Sequence, residues 1–230
     1  VRLPALTGVA LRHLESVTSP VTAADMTIDN GRVHATFNKS GEIESIRIDG
    51  HDIPLRGPAG QLHLYPDQPH LFEAWEKLRQ SYSLARQVNG SAKVSYGPNF
   101  IRFERKLSEK SGAVVTYSLL PGCAQLQIGF EVDWQDPQTK EKFIVPTWYA
   151  GKQARYGAAF TSVLRSQLPE DLSDEAQFEV PASRYAVVSD DGERDGLFIA
   201  TEGLFGFTCR EGVLATTLLT SPRITGEGGS

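Results

Sequence analysis

Cysteine is scarce in this chain of 230 residues: there are two, Cys123 and Cys209. That is too few for a disulfide framework, and their separation lacks the paired spacing of a zinc finger. They read as two ordinary thiols. Basic runs are missing as well, and the formal net charge is −5. Both argue against a nucleic-acid binder, whose phosphate contacts need clustered Lys and Arg. No stretch approaches the ~20 consecutive apolar residues of a membrane span. The opening "VRLPALTGVALRHLE" has no charged start, apolar run and small-residue cleavage site of a secretory signal, so a cytoplasmic protein is expected. It also lacks an initiator methionine, and the chain stops at "RITGEGGS". From these ends an excerpt of a longer chain is expected.

The familiar catalytic motifs are lacking too. The histidines, His13, His34, His51, His63 and His70, form no i,i+4 pair and no HExxH. There is no GxSxG, no phosphate loop and no dinucleotide fingerprint. "SDDGERDG" (189–196) fails the ligand spacing of a calcium loop and reads as an acidic turn. "LPEDLSDE" (168–175) reads as a solvated loop. "NKS" (38–40) and "NGS" (89–91) match glycosylation acceptors but read as turns. No internal repeat or low-complexity tract occurs.

What is present is strand periodicity. "RVHATF" alternates Val33, Ala35 and Phe37 with polar residues, and "NKSG" then supplies a turn. "EIESIRI" slips by one residue between Ile43 and Ile46, as a bulge would make it. Asp49-Gly50 is a hairpin signal. Further strands are predicted at 61–65, 92–97, 100–107, 113–120, 124–134, 176–181, 184–190, 196–202 and 213–220. Many short strands between Gly, Pro and Asn turns specify an all-β sandwich or barrel. "LFEAWEKL" (71–78) departs from this, with Leu71, Ala74, Trp75 and Leu78 at helical spacing. Residues 1–26 read as an edge segment or linker, and 27–230 as a single β-sandwich domain.

The densest candidate site is "DQPHLFEAWEK" (67–77). Trp75 could stack on the C–H face of a sugar, with Glu73 or Asp67 accepting hydrogen bonds from hydroxyls. Equally, Trp75 could be a core anchor among solvated acids. Trp134 and Trp148 follow strand-like runs and favour the core. Arg165, in "SVLRSQ", is either a surface residue or, at a strand end, a clamp for a substrate hydroxyl or acid. His63, His70 and Glu73 could converge as acid, base and orienter of a free-standing sugar isomerase, or lie separately on the surface.

"GQLHLYPDQPHLFEAWE" resembles a segment of the α-mannosidases of glycoside hydrolase family 38, where a strand like "lqLyeD-P" precedes "WDAWD". "NGRVHATFNKSGEIESIRIDGHDI" resembles the opening of the family's post-barrel β region. "QIGFEVDWQDPQTKEKFIVPTWYAGKQARYGAAFTSVLRSQ" is similar to its run ending in "fG-i-R". "AQFEVPASRYAVVSDDGERDGLFIATEGLFGFTCREGVLATTLLTSP" is similar to the run that closes with "LLRSP". The likeness extends over about 27 to 223. It departs from the family at Phe72, in place of the first Trp, and at Glu73 and Glu76, in place of Asp. These longer acid arms displace the carboxylate by about one methylene, which matters for near-attack geometry.

The resemblance implies a retaining exo-acting mannosidase whose nucleophile and divalent metal, usually zinc, belong to an N-terminal catalytic barrel followed by a helical domain. This chain would then be a large antiparallel β-sandwich of galactose-mutarotase-like type with no catalytic residue, metal ligand or cofactor of its own. Its partners would be that barrel, the helical domain and a mannose-containing oligosaccharide. Glu73, Trp75 and Arg165, with Asp67, would line the pocket. The alternative is a free-standing carbohydrate-binding or mutarotase-like module.

Overall fold

The computed structural model describes residues 20–67 and 79–221, and antiparallel strands dominate them. β1 (Thr22–Ala24), β2 (Thr27–Asp29), β3 (Val33–Phe37), β4 (Ile43–Ile48) and β5 (His51–Asp52) form a first sheet in that order. Local chemistry sets its turns. Asp49 and Gly50 take φ of 50° and 83°, the left-handed pair that a two-residue hairpin requires. Gly41 also has positive φ, and a Cβ there would lie 2.5 Å from the Phe103 ring, so the turn before β4 needs glycine. The slipped isoleucine spacing is a bulge. Thr36 pairs with Ser45 but Phe37 pairs with Ile43, which leaves Glu44 over.

β6 (Gln61–Pro66), the short helix α1 (Arg79–Tyr82) and β7 (Arg86–Gln87) follow. β8 (Lys93–Gly97), β9 (Phe100–Lys106), β10 (Gly112–Ser118) and β11 (Gln127–Asp133) make a second sheet. Then come β12 (Thr139–Pro146), β13 (Gln153–Ala158), β14 (Thr161–Ser166), α2 (Leu172–Ala176) and β15 (Val180–Pro181). β16 (Tyr185–Ser189), β17 (Gly196–Ala200), β18 (Gly206–Arg210) and β19 (Val213–Ser221) complete the described chain. A third sheet runs β14-β13-β16-β17, and a six-stranded central sheet runs β15-β18-β19-β12-β6-β7.

The core lies on one face of the central sheet. Paired residues in antiparallel strands share a side, and the register puts Leu62 with Phe143, and Cys209 with Leu214 and Val145. Leu62, Leu64, Phe143 and Val145 pack against Ile28, Val33 and Phe37 of the first sheet and Ile101, Phe103, Val115 and Tyr117 of the second. Phe207, Cys209 and Leu214 pack against Ala154, Tyr156, Ala186 and Val188 of the third. One broad sheet is thus covered on a single face by three smaller ones, which is the expected all-β antiparallel layering.

Several local expectations need correction. The strand predicted at 176–181 shrinks to Val180–Pro181, because Leu172–Ala176 forms a helix capped by Asp171, whose side chain accepts from the Asp174 N–H at 2.8 Å. The stretch 168–175 is therefore not merely a loop. Trp148 is not in the core. It follows the end of β12, is 64% exposed, and has the Arg56 guanidinium 5.8 Å from its ring centre. β2, β5, β7, β12, β13, β14 and β18 had not been expected as strands. The predicted helix 71–78 falls outside the described residues. No helix among the described residues is long and apolar enough to cross a membrane.

Candidate functional site

The other face of the central sheet is polar, and β12 explains why. Its sequence "TKEKFIVP" alternates, sending Lys140 and Lys142 to one side and Glu141, Phe143 and Val145 to the other. Register adds Tyr65 beside Lys140, and His63 and Thr217 beside Lys142. The lysine side chains are only 2% and 1% exposed. Ammonium groups so deeply buried need partners, since an isolated buried charge is very costly.

Glu179, just before β15, lies between them. Its Oε2 is 2.9 Å from Lys140 Nζ and its Oε1 is 3.7 Å from Lys142 Nζ. Thr217 donates its hydroxyl to Glu179 Oε1. Lys142 Nζ donates to Thr208 Oγ1 at 2.7 Å, and Thr208 passes its own proton to the Phe178 carbonyl at 2.9 Å. Lys140 Nζ donates to the Tyr82 hydroxyl at 2.9 Å. The Tyr82 ring stands 4.9 Å and 5.2 Å from the two ammonium nitrogens and packs on Tyr65 and Phe178. Burial, with Glu179 nearby, pushes the Tyr65 hydroxyl up to about 12, so it stays protonated at neutral pH. Cationic donors, hydroxyls and ring faces meet here in one place.

Of the residues chosen from sequence, Asp67, Arg165 and His63 lie among the described residues. Asp67 follows β6 and is 5% exposed. Its N–H donates to the Gln138 carbonyl at 2.8 Å, and its Oδ2 is buried with no hydrogen-bond partner among the described residues. Arg165 is half-buried on β14, pairs through Nη1 with Gln177 Oε1 at 2.7 Å, and has a buried Nε with no partner among the described residues. Arg165 thus belongs to the third sheet and Asp67 to the end of β6. Glu73, Trp75 and His70 lie outside the described residues. His63 is half-buried, its Nε2 3.0 Å from Gln61 Oε1, and burial lowers its pKa.

Sequence reasoning missed Lys140, Lys142, Glu179, Tyr82 and Thr208. A signal existed: "KEK" directly precedes the apolar "FIV", so a strand there had to hide charge. Among the described residues no three His, Cys, Asp or Glu side chains converge to hold a metal ion.

A family model described as glycosyl hydrolases family 38 C-terminal domain matches residues 28–224. The chain is similar to alpha-mannosidase 2C1 of Homo sapiens, at 25% identity over 211 residues, covering 88% of this chain and 20% of that protein. The Mus musculus protein of the same name is 26% identical over 212 residues, with the same two coverages. The chain thus spans about a fifth of the length of these relatives. An alpha-mannosidase from Enterococcus faecalis V583 shares the fold, with a TM-score of 0.70 at 13% identity, over 89% of this chain and 26% of that one. A protein in glycosyl hydrolase family 38 from Enterococcus faecalis does so with a TM-score of 0.67 at 12% identity, over 94% and 28%.

Proposed function

Because this chain belongs to the glycosyl hydrolases family 38 C-terminal domain family, we propose that it serves as the β-sandwich domain of an α-mannosidase-type glycoside hydrolase. In this reading it packs on the catalytic barrel and helical domain of a longer chain and lends side chains to a pocket for a terminal mannose. The observation that carries the reading is the family match along nearly the whole chain, joined to relatives about five times longer. Two unmet groups support it: Asp67 and Arg165 each keep a buried polar atom without a partner among the described residues, as groups awaiting a ligand or a neighbouring domain would.

The nucleophile and a divalent metal, zinc, belong in this reading to the barrel. Arg165, Asp67, Glu73 and Trp75 position the sugar and do no bond chemistry. Bound zinc would polarise an oxygen of the substrate, whereas this domain's residues orient hydroxyls and exclude water. A cytoplasmic location is in keeping with two free thiols, Cys123 and Cys209. The free-standing isomerase is not favoured by membership of this family.

The test is made in the full-length chain bearing this domain. Arg165→Ala should lower kcat/KM on an aryl α-mannoside about 10- to 100-fold, the loss of one charged hydrogen bond. Unchanged turnover, or mannoside cleavage by the 230-residue chain alone, would overturn the proposal.

A further inference from the structure

We propose that Glu141 is a proton switch inside the sandwich: a carboxyl group carried neutral in the folded domain, whose ionisation draws Arg105 away from Glu42. This device is separate from the polar face, because Glu141 points from β12 into the covered side of the sheet.

The geometry is specific. Glu141 is 0% exposed. The residues beside it in register, Leu64 on β6 and Leu219 on β19, are both apolar. Neither carboxyl oxygen has a hydrogen-bond partner among the described residues. An ion held this way lacks both water and donors, so the neutral acid is the favoured form. Arg105, on β9, is the cation that acts on it. Its Nη2 donates to the Val88 carbonyl at 2.8 Å and lies 3.8 Å from Glu42 Oε1, while its Nη1 is buried with no partner among the described residues.

The two acids compete for this guanidinium on unequal terms. Glu42 has other donors: Asn38 Nδ2 at 2.9 Å and Gln87 Nε2 at 3.4 Å. Glu141 has none. Glu42 can therefore release Arg105 and remain hydrogen-bonded, and the spare Nη1 gives an ionised Glu141 a donor to recruit. Other polar groups facing this region are engaged in hydrogen bonds of their own. The Tyr117 hydroxyl, from β10, donates to the Gly41 carbonyl at 3.1 Å and is pushed far above its ordinary value by burial. Arg86, on β7, donates to the Leu107 carbonyl at 3.1 Å. His63 points to the opposite face of β6, yet the Glu42 charge still reaches it and favours its protonated form against the effect of burial, so the titration must be read at the Glu141 carboxyl itself.

Burial pushes the Glu141 carboxyl from the ordinary 4.5 up to about 7, with the Arg105 charge acting in the opposite direction. That is an acid weakened about 300-fold, and it titrates across the neutral range.

The experiment is a pH titration of the Glu141 side-chain carboxyl carbon by NMR in the 230-residue chain. A midpoint near 7 is expected. Glu42→Gln, which removes the competing acid, should lower that midpoint by about one pH unit, and Arg105→Met should raise it by about as much. A wild-type midpoint in the ordinary glutamate range overturns the switch. So does a high midpoint that neither variant moves, since that would be burial without exchange of the guanidinium. The wild-type titration stands even if a variant fails to fold.

Discussion

Lys140 and Lys142 on one face of β12 and Glu141 on the other are neighbours in sequence and almost equally hidden from water, yet they meet opposite surroundings. The lysines find a carboxylate, hydroxyls and an aromatic ring within reach. Glu141 finds leucines beside it and one cation already engaged elsewhere. The contrast teaches that burial alone does not decide whether a side chain keeps its charge. The supply of partners does, and that supply is fixed by which strand lies alongside.

The largest test of this contrast removes the shared partner. Glu179→Ala should cost about 3–5 kcal/mol, the typical penalty for breaking a buried ion pair from one side. Denaturant unfolding would show a lower midpoint at unchanged slope. A loss below about 1 kcal/mol would mean that the lysines rely on other groups and that the two faces differ less than argued.

The next test works on the apolar face through pH. The folded pKa of Glu141 is raised, so its stabilising contribution is fully present below 4.5 and disappears as pH rises through about 7. Between about pH 5 and pH 8.5 the wild type should lose about 3 kcal/mol relative to Glu141→Gln, which cannot ionise. Parallel stability curves for the two proteins would remove the distinction between the faces. The smallest effect is expected from Thr208→Val, which takes one oxygen from Lys142 and one donor from the Phe178 carbonyl. It should cost about 1–2 kcal/mol, with no dependence on pH across the neutral range.

The same contrast explains what could be read without coordinates. β3, β4, β9, β10, β16 and β17 alternate apolar and polar residues in period two, so their existence and even the bulge at Glu44 followed from spacing. β12 escaped because both of its faces are covered and three consecutive charges mask the period. Asp67 and Arg165 were visible as residue types suited to sugar contacts. Their unpartnered atoms were not, because they depend on Gln138 and Gln177, which only the fold brings near. Glu179 was invisible as a site residue, since it meets Lys140 across a separation of 39 positions. Trp148 misled through its composition: an aromatic after an apolar run reads as core, but the strand ends before it and the ring emerges at the surface.

The central sheet is bordered by β7 and β15, each of two residues, and one residue of β15 is Pro181. Proline offers no N–H, and a two-residue border gives an incoming strand almost nothing to zip onto. A sheet broad enough to template stacking with its own copies is thereby stopped at both rims. Among the described residues, these rims offer little free backbone for another strand to pair with.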